Sequence, residues 1–198
     1  KGSFTKMATD FIVDFETLGV TDDSVLLSVG ILPCPDISGT YTIKDLISSG
    51  LYIKFNREQQ YKAGRKIDSN TLEWWEKQGD AAKIVLSNTN LHDIVKAQLT
   101  IRNFMFEHGF DKRESKIWSR GMIDQRWWQS FCMTCATLDQ NVNDFLPFQN
   151  WRDIRTILEV LTGSTKGSIQ DDDPRFIKHN ALSDCVLDYL RMQNALHI

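Results

Sequence analysis

Apolar and polar positions alternate along residues 8–15 and again along 51–55 (LYIKF), whereas residues 25–32 (VLLSVGIL) are apolar almost throughout. A period of two marks a strand with two unlike faces, and a short unbroken apolar run marks a strand covered on both sides. These segments therefore predict three early strands, the second of them central. Pro33, Pro35 and Gly39 make the stretch after the second strand turn-rich. Residues 56–66 (NREQQYKAGRK) read as a polar loop. A helix is expected to open at Asn70, with Glu73 at the reciprocal capping position. A longer helix is expected over 91–108, with Ile94, Ile101 and Met105 on one face and a stop at Gly109. Residues 116–119 predict a short strand, and 123–138, 151–161 and 180–196 carry helical patterns. Strands that come first and then alternate with helices argue for an α/β or α+β layer around a mixed sheet. No repeat, low-complexity tract or linker interrupts the chain, so a single domain is expected. Lys1-Gly2-Ser3-Phe4-Thr5-Lys6 reads as a vector-derived leader, with Met7 as the native start.

At 198 residues the chain can bury roughly 70% of its unfolded surface without disulfides or metals to hold it. With 41% hydrophobic and 25% charged residues and only four Pro, collagen-like, disordered and disulfide-scaffold classes are excluded. No run approaches the ~20 apolar residues of a membrane span. Four Cys without a secretory leader suit a reducing compartment, and the expected location is cytoplasmic. The net charge of −3 and pI of about 5.8 constrain function further. A protein that binds nucleic acid by bulk charge is usually basic. This chain needs a local basic patch or bound cations to approach phosphate. Arg57, Lys62, Arg65 and Lys66, set against the single acid Glu58, form the densest basic stretch.

The acids are more informative. In Phe11-Ile12-Val13-Asp14-Phe15-Glu16, strand alternation puts Asp14 and Glu16 on one face with Ile12. Two acids on an otherwise apolar strand are costly to bury without a partner, and a hard divalent cation is one that suits carboxylate oxygens. The alternative is a strand that ends at Asp14 and leaves both acids in water. Near the other end, His179-Asn180-Ala181-Leu182-Ser183-Asp184 sets a His before a helix and an Asp in its first turns, where an acid also complements the helix dipole. Asp124 follows Trp118-Ser119-Arg120-Gly121-Met122-Ile123, at a strand-to-helix junction where Gly121 permits close approach. Each of the three has a structural as well as a functional reading.

Together, in this order, they resemble the DnaQ-like 3′–5′ exonucleases of the DEDDh group, and the resemblance runs from Asp14 to Asp184. Asn70-Thr71-Leu72-Glu73-Trp74-Trp75, Trp118-x-Arg120-Gly121 and Arg152-Asp153-Ile154-Arg155-Thr156 resemble the branch holding T-even phage exonuclease A and the bacterial ribonuclease AS type. The Gly-x-x-Asp spacing of Asp124 is that of the ribonuclease-like members, and a phage or prophage origin is in keeping with the branch.

The resemblance implies an α/β, ribonuclease H-like fold, with a mixed central sheet flanked by helices in a single domain over residues 7–198. It implies a metal-dependent exonuclease releasing nucleoside 5′-monophosphates from the 3′ ends of single-stranded DNA or RNA. Asp14, Glu16, Asp124, His179 and Asp184 are the implied catalytic residues. Two divalent cations, Mg²⁺ or Mn²⁺, would be held by the four acids: Asp14 bridging both, Glu16 and Asp184 completing one site, and Asp124 holding the other partly through water. His179 would be the general base, a role suited to an ordinary pKa of about 6.5. Thr17, Leu18, Trp74 and Arg120 are the candidate substrate contacts, with the basic residues of the 57–66 stretch as further backbone contacts. A homodimer is expected by analogy, and no membrane partner.

Other motifs carry less. Trp74 is a candidate base platform, although a Trp doublet also arises with one ring in the core and one outside. Trp127 and Trp128 are expected in the core. Cys132-x-x-Cys135 lacks a second ligand pair and reads as helix packing. Asp171-Asp172-Asp173 reads as a solvated loop. His92, His108 and His197 are assigned no role. The competing functions are an internal nuclease on the same fold and a catalytically silent nucleic-acid- or protein-binding module. The five retained residues argue against the silent module, and a thiol redox role is weaker still.

Overall fold

Phe11, Val13 and Phe15 are buried on one side of the first strand and Ile12 on the other, as the alternation requires. The computed structural model describes residues 8–196. The expected leader, Met7 and His197 lie outside the described residues. In chain order the first half comprises β1 (Phe11–Thr17), β2 (Leu26–Pro33), α1 (Ile43–Ser49), β3 (Leu51–Phe55), α2 (Arg57–Lys62), α3 (Ser69–Glu76), α4 (Asp80–Lys83) and β4 (Leu91–His92). There follow α5 (Ile94–Glu107), β5 (Ile117–Ser119), α6 (Ile123–Leu138), β6 (Trp151–Asp153), α7 (Ile154–Thr162) and α8 (Ala181–Leu196). The six strands form one mixed sheet in the order β4-β3-β2-β1-β5-β6. The β1–β2 and β2–β3 pairs are antiparallel, and the β3–β4, β1–β5 and β5–β6 pairs are parallel.

Helices cover both faces. Phe11, Val13, Phe15, Val29 and Ile31 pack with Ile94, Ile101 and Met105 of α5 and with Trp128 and Phe131 of α6. Ile12 and Leu32 pack on the opposite face with Ile154 and Leu158 of α7 and Leu182, Val186 and Tyr189 of α8. Cys132 and Cys135 are both buried in α6, as helix packing predicts, and all four cysteines are free. Among the described residues no helix is long and apolar enough to cross a membrane.

Several local expectations need correction. β1 runs on to Thr17, so Asp14 and Glu16 lie inside the strand, paired across to Gly30 and Ser28. α3 is capped by Asp68, whose carboxylate accepts from the Asn70 and Thr71 N–H groups, so Glu73 has no capping role. α5 starts at Ile94 because Asp93 accepts from the Lys96 N–H, and Leu91–His92 joins the sheet instead. The 56–66 stretch is half helical. Gln60 of α2 is fully buried and bonds both the N–H and the C=O of Leu26, which fixes the segment to the edge of β2.

Gly30 decides where α8 lies. It faces the helix layer beside Asp14, and a Cβ there would sit 2.3 Å from the Ala181 carbonyl carbon and the Leu182 nitrogen. Those are backbone atoms in the first turn of α8, so the helix itself would have to move. Gly30→Ala is therefore expected to destabilise the fold by about 1–3 kcal/mol and to lower activity as well, by shifting the turn that carries Asp184. Thermal melts and activity assays on the one variant check both; an unchanged melting temperature with full activity would contradict this packing.

Candidate active site

Four side chains from three elements converge where β1 meets the start of α8. Asp14 and Glu16 come from alternate positions of β1, Asp184 from the first turn of α8, and His179 from the loop before it. All four line one cleft of about 290 Å³, together with Arg120, Asp171, Lys178, Asp188 and Arg191. Asn180 begins α8, its side chain accepting from the Ser183 N–H and its carbonyl from the Asp184 N–H. That turn leaves His179 at φ +60°, a conformation a non-glycine residue seldom adopts and one that occurs at functional sites.

Asp124 is 3% exposed and stands behind the open cleft. The parallel pairing of β1 with β5 ends at Ile12 and Trp118, so the Phe15 N–H lies beyond the last partner strand. It donates to Asp124 Oδ1 at 3.1 Å instead. The acid therefore completes the sheet edge and is held against the β1 carboxylates. Gly121, at φ +104°, makes the tight turn into α6, and its N–H donates to Asp153 Oδ1 at 3.0 Å.

The charges sort into two groups. Asp188 is paired with Arg120 and Arg191, and Asp171 with Lys166 and Arg191. Among the described residues, Asp14, Glu16, Asp124 and Asp184 have no such ion pair. Burial, then the charges of Asp124, Glu16, Asp184 and Asp188, push the Asp14 carboxyl well above the usual range. Burial and the charges of Asp184 and Asp124 do the same to Glu16. Burial lifts both Asp124 and Asp184 to about 7, against hydrogen bonds from the Phe15 and His179 N–H groups respectively. Four acids held together at this cost want a counter-cation, and hard divalent ions match an oxygen-rich donor set. Glu16, His179 and Asp184 each place a ligand atom within 4.8 Å of the others. Burial and the neighbouring Lys178 charge lower the His179 pKa, which keeps the ring neutral near pH 7.

Beside the cleft, and sharing Phe15 and Glu16 with it, lies a groove of about 510 Å³ walled by Thr17, Trp74, Trp75 and Trp127. The Trp doublet divides between core and surface: Trp75 is 1% exposed and donates to the Thr17 carbonyl, while Trp74 is 41% exposed. Trp74 meets the His179 ring edge-on at 4.8 Å, so the groove and the acid cluster are contiguous. Trp127 and Trp128 are buried as expected, although Trp127 also reaches the groove.

Some candidate contacts lie elsewhere. Leu18 is 2% exposed and packs with Val25, Leu27 and Trp75; it supports the groove from beneath. Arg120 lines the cleft but donates to Asp188 and the Thr165 carbonyl. The 57–66 patch does not line the cleft. Arg65 is 3% exposed and donates to Ser24, Asp22, Ser130 and Thr134. Lys62 pairs with Glu58, Lys66 with Asp23, and Arg57 donates to Asn88. Asp171, expected in solvent, lines the cleft instead. Asp188, Arg191 and Lys178 line the cleft without belonging to any motif, although Asp188 follows Asp184 by four and so shares its helix face.

The chain is similar to known exonucleases. The family model for the Rv2179c-like 3′–5′ exoribonuclease domain matches residues 9–193. The exodeoxyribonuclease of Enterobacteria phage T4 is 27% identical over 208 aligned positions, covering 94% of this chain and 88% of that protein. The crystal structure of cell-death related nuclease 4 shares the fold, with a TM-score of 0.51 at 11% identity. The match covers 96% of this chain, which spans only 64% of that one.

Proposed function

From the premise that the chain belongs to the Rv2179c-like 3′–5′ exoribonuclease domain family, within the DnaQ-like exonucleases, we propose that it removes nucleoside 5′-monophosphates from single-stranded 3′ ends by DEDDh chemistry. The observation that carries this reading is the cluster of Asp14, Glu16 and Asp184 on one cleft with Asp124 behind it, four acids without an ion-pair partner among the described residues. These residues would hold two divalent cations, Mg²⁺ or Mn²⁺. When bound, such ions polarise a phosphoryl oxygen and stabilise the charge that develops in an in-line displacement.

The chain's own groups do the remainder. His179, neutral and half-buried at the cleft, accepts the proton of the attacking water through a ring nitrogen. Its ring is oriented by the edge contact with Trp74 and by the turn into α8. Trp74 and the Thr17 wall receive the terminal base in the adjoining groove, where stacking tolerates any base. Trp74→Ala is expected to raise KM for an oligonucleotide about tenfold, since one stacked base is worth ~1–3 kcal/mol, with a smaller change in kcat. Steady-state kinetics check this, and an unchanged KM would remove Trp74 from the substrate site.

A second reading rests on the convergence of Glu16, His179 and Asp184. It makes His179 a metal ligand in place of a base. The silent-module alternative is disfavoured because four crowded, half-buried or buried acids with no cation beside them weaken a fold that has no use for them.

The test is a 5′-labelled oligonucleotide of one sequence, made as RNA and as DNA, together with a circular form. Shortening of the linear strands from the 3′ end, with the circle intact, is the expected result. The faster linear substrate identifies the sugar. Cutting of the circle would replace this reading with an internal nuclease, and no cleavage in Mg²⁺ or Mn²⁺ would favour the silent module.

A further inference from the structure

The segment Asp153-Ile154-Arg155-Thr156 lies at the junction of β6 and α7, next to the turn that carries Gly121. Asp153 Oδ1 accepts from the N–H groups of both Gly121 and Arg155 at 3.0 Å, and Oδ2 accepts from the Thr156 hydroxyl at 2.7 Å. One carboxylate thus ties the first turn of α7 to the turn that leads to Asp124. Arg155 rests over that turn: its Nη1 lies 3.7 Å from where a Gly121 Cβ would be. Glycine is needed at 121 for its φ of +104°, and a Cβ there would meet the guanidinium only at ordinary contact distance. Its charge is near enough to Asp124 to lower that acid's pKa against burial.

Arg155 differs from the other arginines near the site. Arg120 is committed to Asp188 and Thr165, and Arg191 to Asp188, Asp171 and the Ile169 carbonyl. Among the described residues Arg155 makes no side-chain hydrogen bond or ion pair, and it is exposed. It also lies outside the lining of the catalytic cleft. A strand entering that cleft brings more than one phosphate. The reacting phosphate meets the acid cluster and its cations, while the next one lies beyond those cations with its own charge uncompensated. A free guanidinium at the rim offsets this, because its planar fork binds phosphate oxygens in pairs.

We propose that Arg155 receives a backbone phosphate of the substrate strand other than the one being cleaved. Asp153 is the positioning residue that holds Arg155 and the Gly121 turn in register. The proposal rests on the exonuclease reading, extends it along the strand, and makes the chain a reader of oligonucleotides in preference to dinucleotides.

The test compares wild type, Arg155→Gln and Arg155→Lys on a dinucleotide, whose single phosphate is the reacting one, and on an octanucleotide. Binding of the octanucleotide is followed by fluorescence anisotropy at several salt concentrations in an Asp14→Asn background. Arg155→Gln is expected to lose roughly tenfold more kcat/KM on the octanucleotide than on the dinucleotide, as for one charged hydrogen-bonded contact. The slope of log affinity against log salt is expected to become shallower by about one, and Arg155→Lys is expected to recover part of both. Equal losses on the two substrates, or no change in salt slope, would overturn the phosphate contact. Wild type inactive on both substrates would overturn the exonuclease reading itself.

Discussion

Asp14→Asn is expected to remove exonuclease activity while raising the melting temperature of the metal-free protein. The activity loss follows from position. Asp14 lies at the centre of the acid cluster and is raised by every other member of it. A metal clamp contributes several kcal/mol of transition-state stabilisation, and ~4 kcal/mol corresponds to roughly 10³-fold in rate. The stability gain follows from the same facts. Asn keeps the shape of Asp and removes a charge that burial and four neighbouring acids oppose, so the metal-free fold is relieved. Oligonucleotide assays and paired melts in EDTA at pH 8 check the two halves. A variant that is inactive but also less stable would mean that Asp14 has a structural partner this account lacks. A variant retaining full activity would remove Asp14 from the site.

Metal removal has the second large effect. EDTA is expected to take activity to background, and excess Mg²⁺ or Mn²⁺ to restore it. Stability should respond in a pH-dependent way. Burial pushes Asp124 and Asp184 up to about 7, and Asp14 and Glu16 are also raised. Between the ordinary carboxylate range and those values the folded protein holds more protons than the unfolded chain. Its metal-free stability therefore falls as pH rises from about 5 to 8. His179 works the other way, since its lowered pKa favours folding as pH rises toward 6.5, but it is one group against four. Asp171 and Asp173, lowered to about 2 by their cation partners, contribute a stability already complete above pH 4. Divalent ion at a hundredfold excess over its Kd should restore ~2.7 kcal/mol, or about 5–10 °C in a chain of this size. Melts from pH 5 to 8, with EDTA and with Mg²⁺, decide the matter; a flat metal-free profile would contradict a cluster of uncompensated acids.

Much of this was legible in the sequence, for identifiable reasons. Period-two alternation is local, so Phe11, Val13 and Phe15 against Ile12, Asp14 and Glu16 already placed both acids on one face. The order of Asp14, Asp124, His179 and Asp184 carried the family. What escaped was set by distant contacts. Arg65 looks like a surface cation in a polar stretch, and only the carbonyls of Asp22 and Ser24 and the hydroxyls of Ser130 and Thr134 draw it inside. Leu18 follows the catalytic strand directly, yet Val25, Leu27 and Trp75 cover it. The role of Gly30 depends on a backbone approach from residues 181 and 182, some 150 positions away. Asp188 had a local signal, one helical turn after Asp184, but its use depends on Arg120 and Arg191 arriving from elsewhere.

The most direct measurement is diffraction from crystals soaked in Mn²⁺ with a nucleoside 5′-monophosphate, with data collected for manganese anomalous scattering. Two anomalous peaks that share Asp14, with Glu16 and Asp184 on one, Asp124 serving the other, and the His179 ring ligating neither, are the predicted result. A single peak bound by Glu16, His179 and Asp184, with Asp14 and Asp124 unengaged, would contradict the assignment of both the metal ligands and the base.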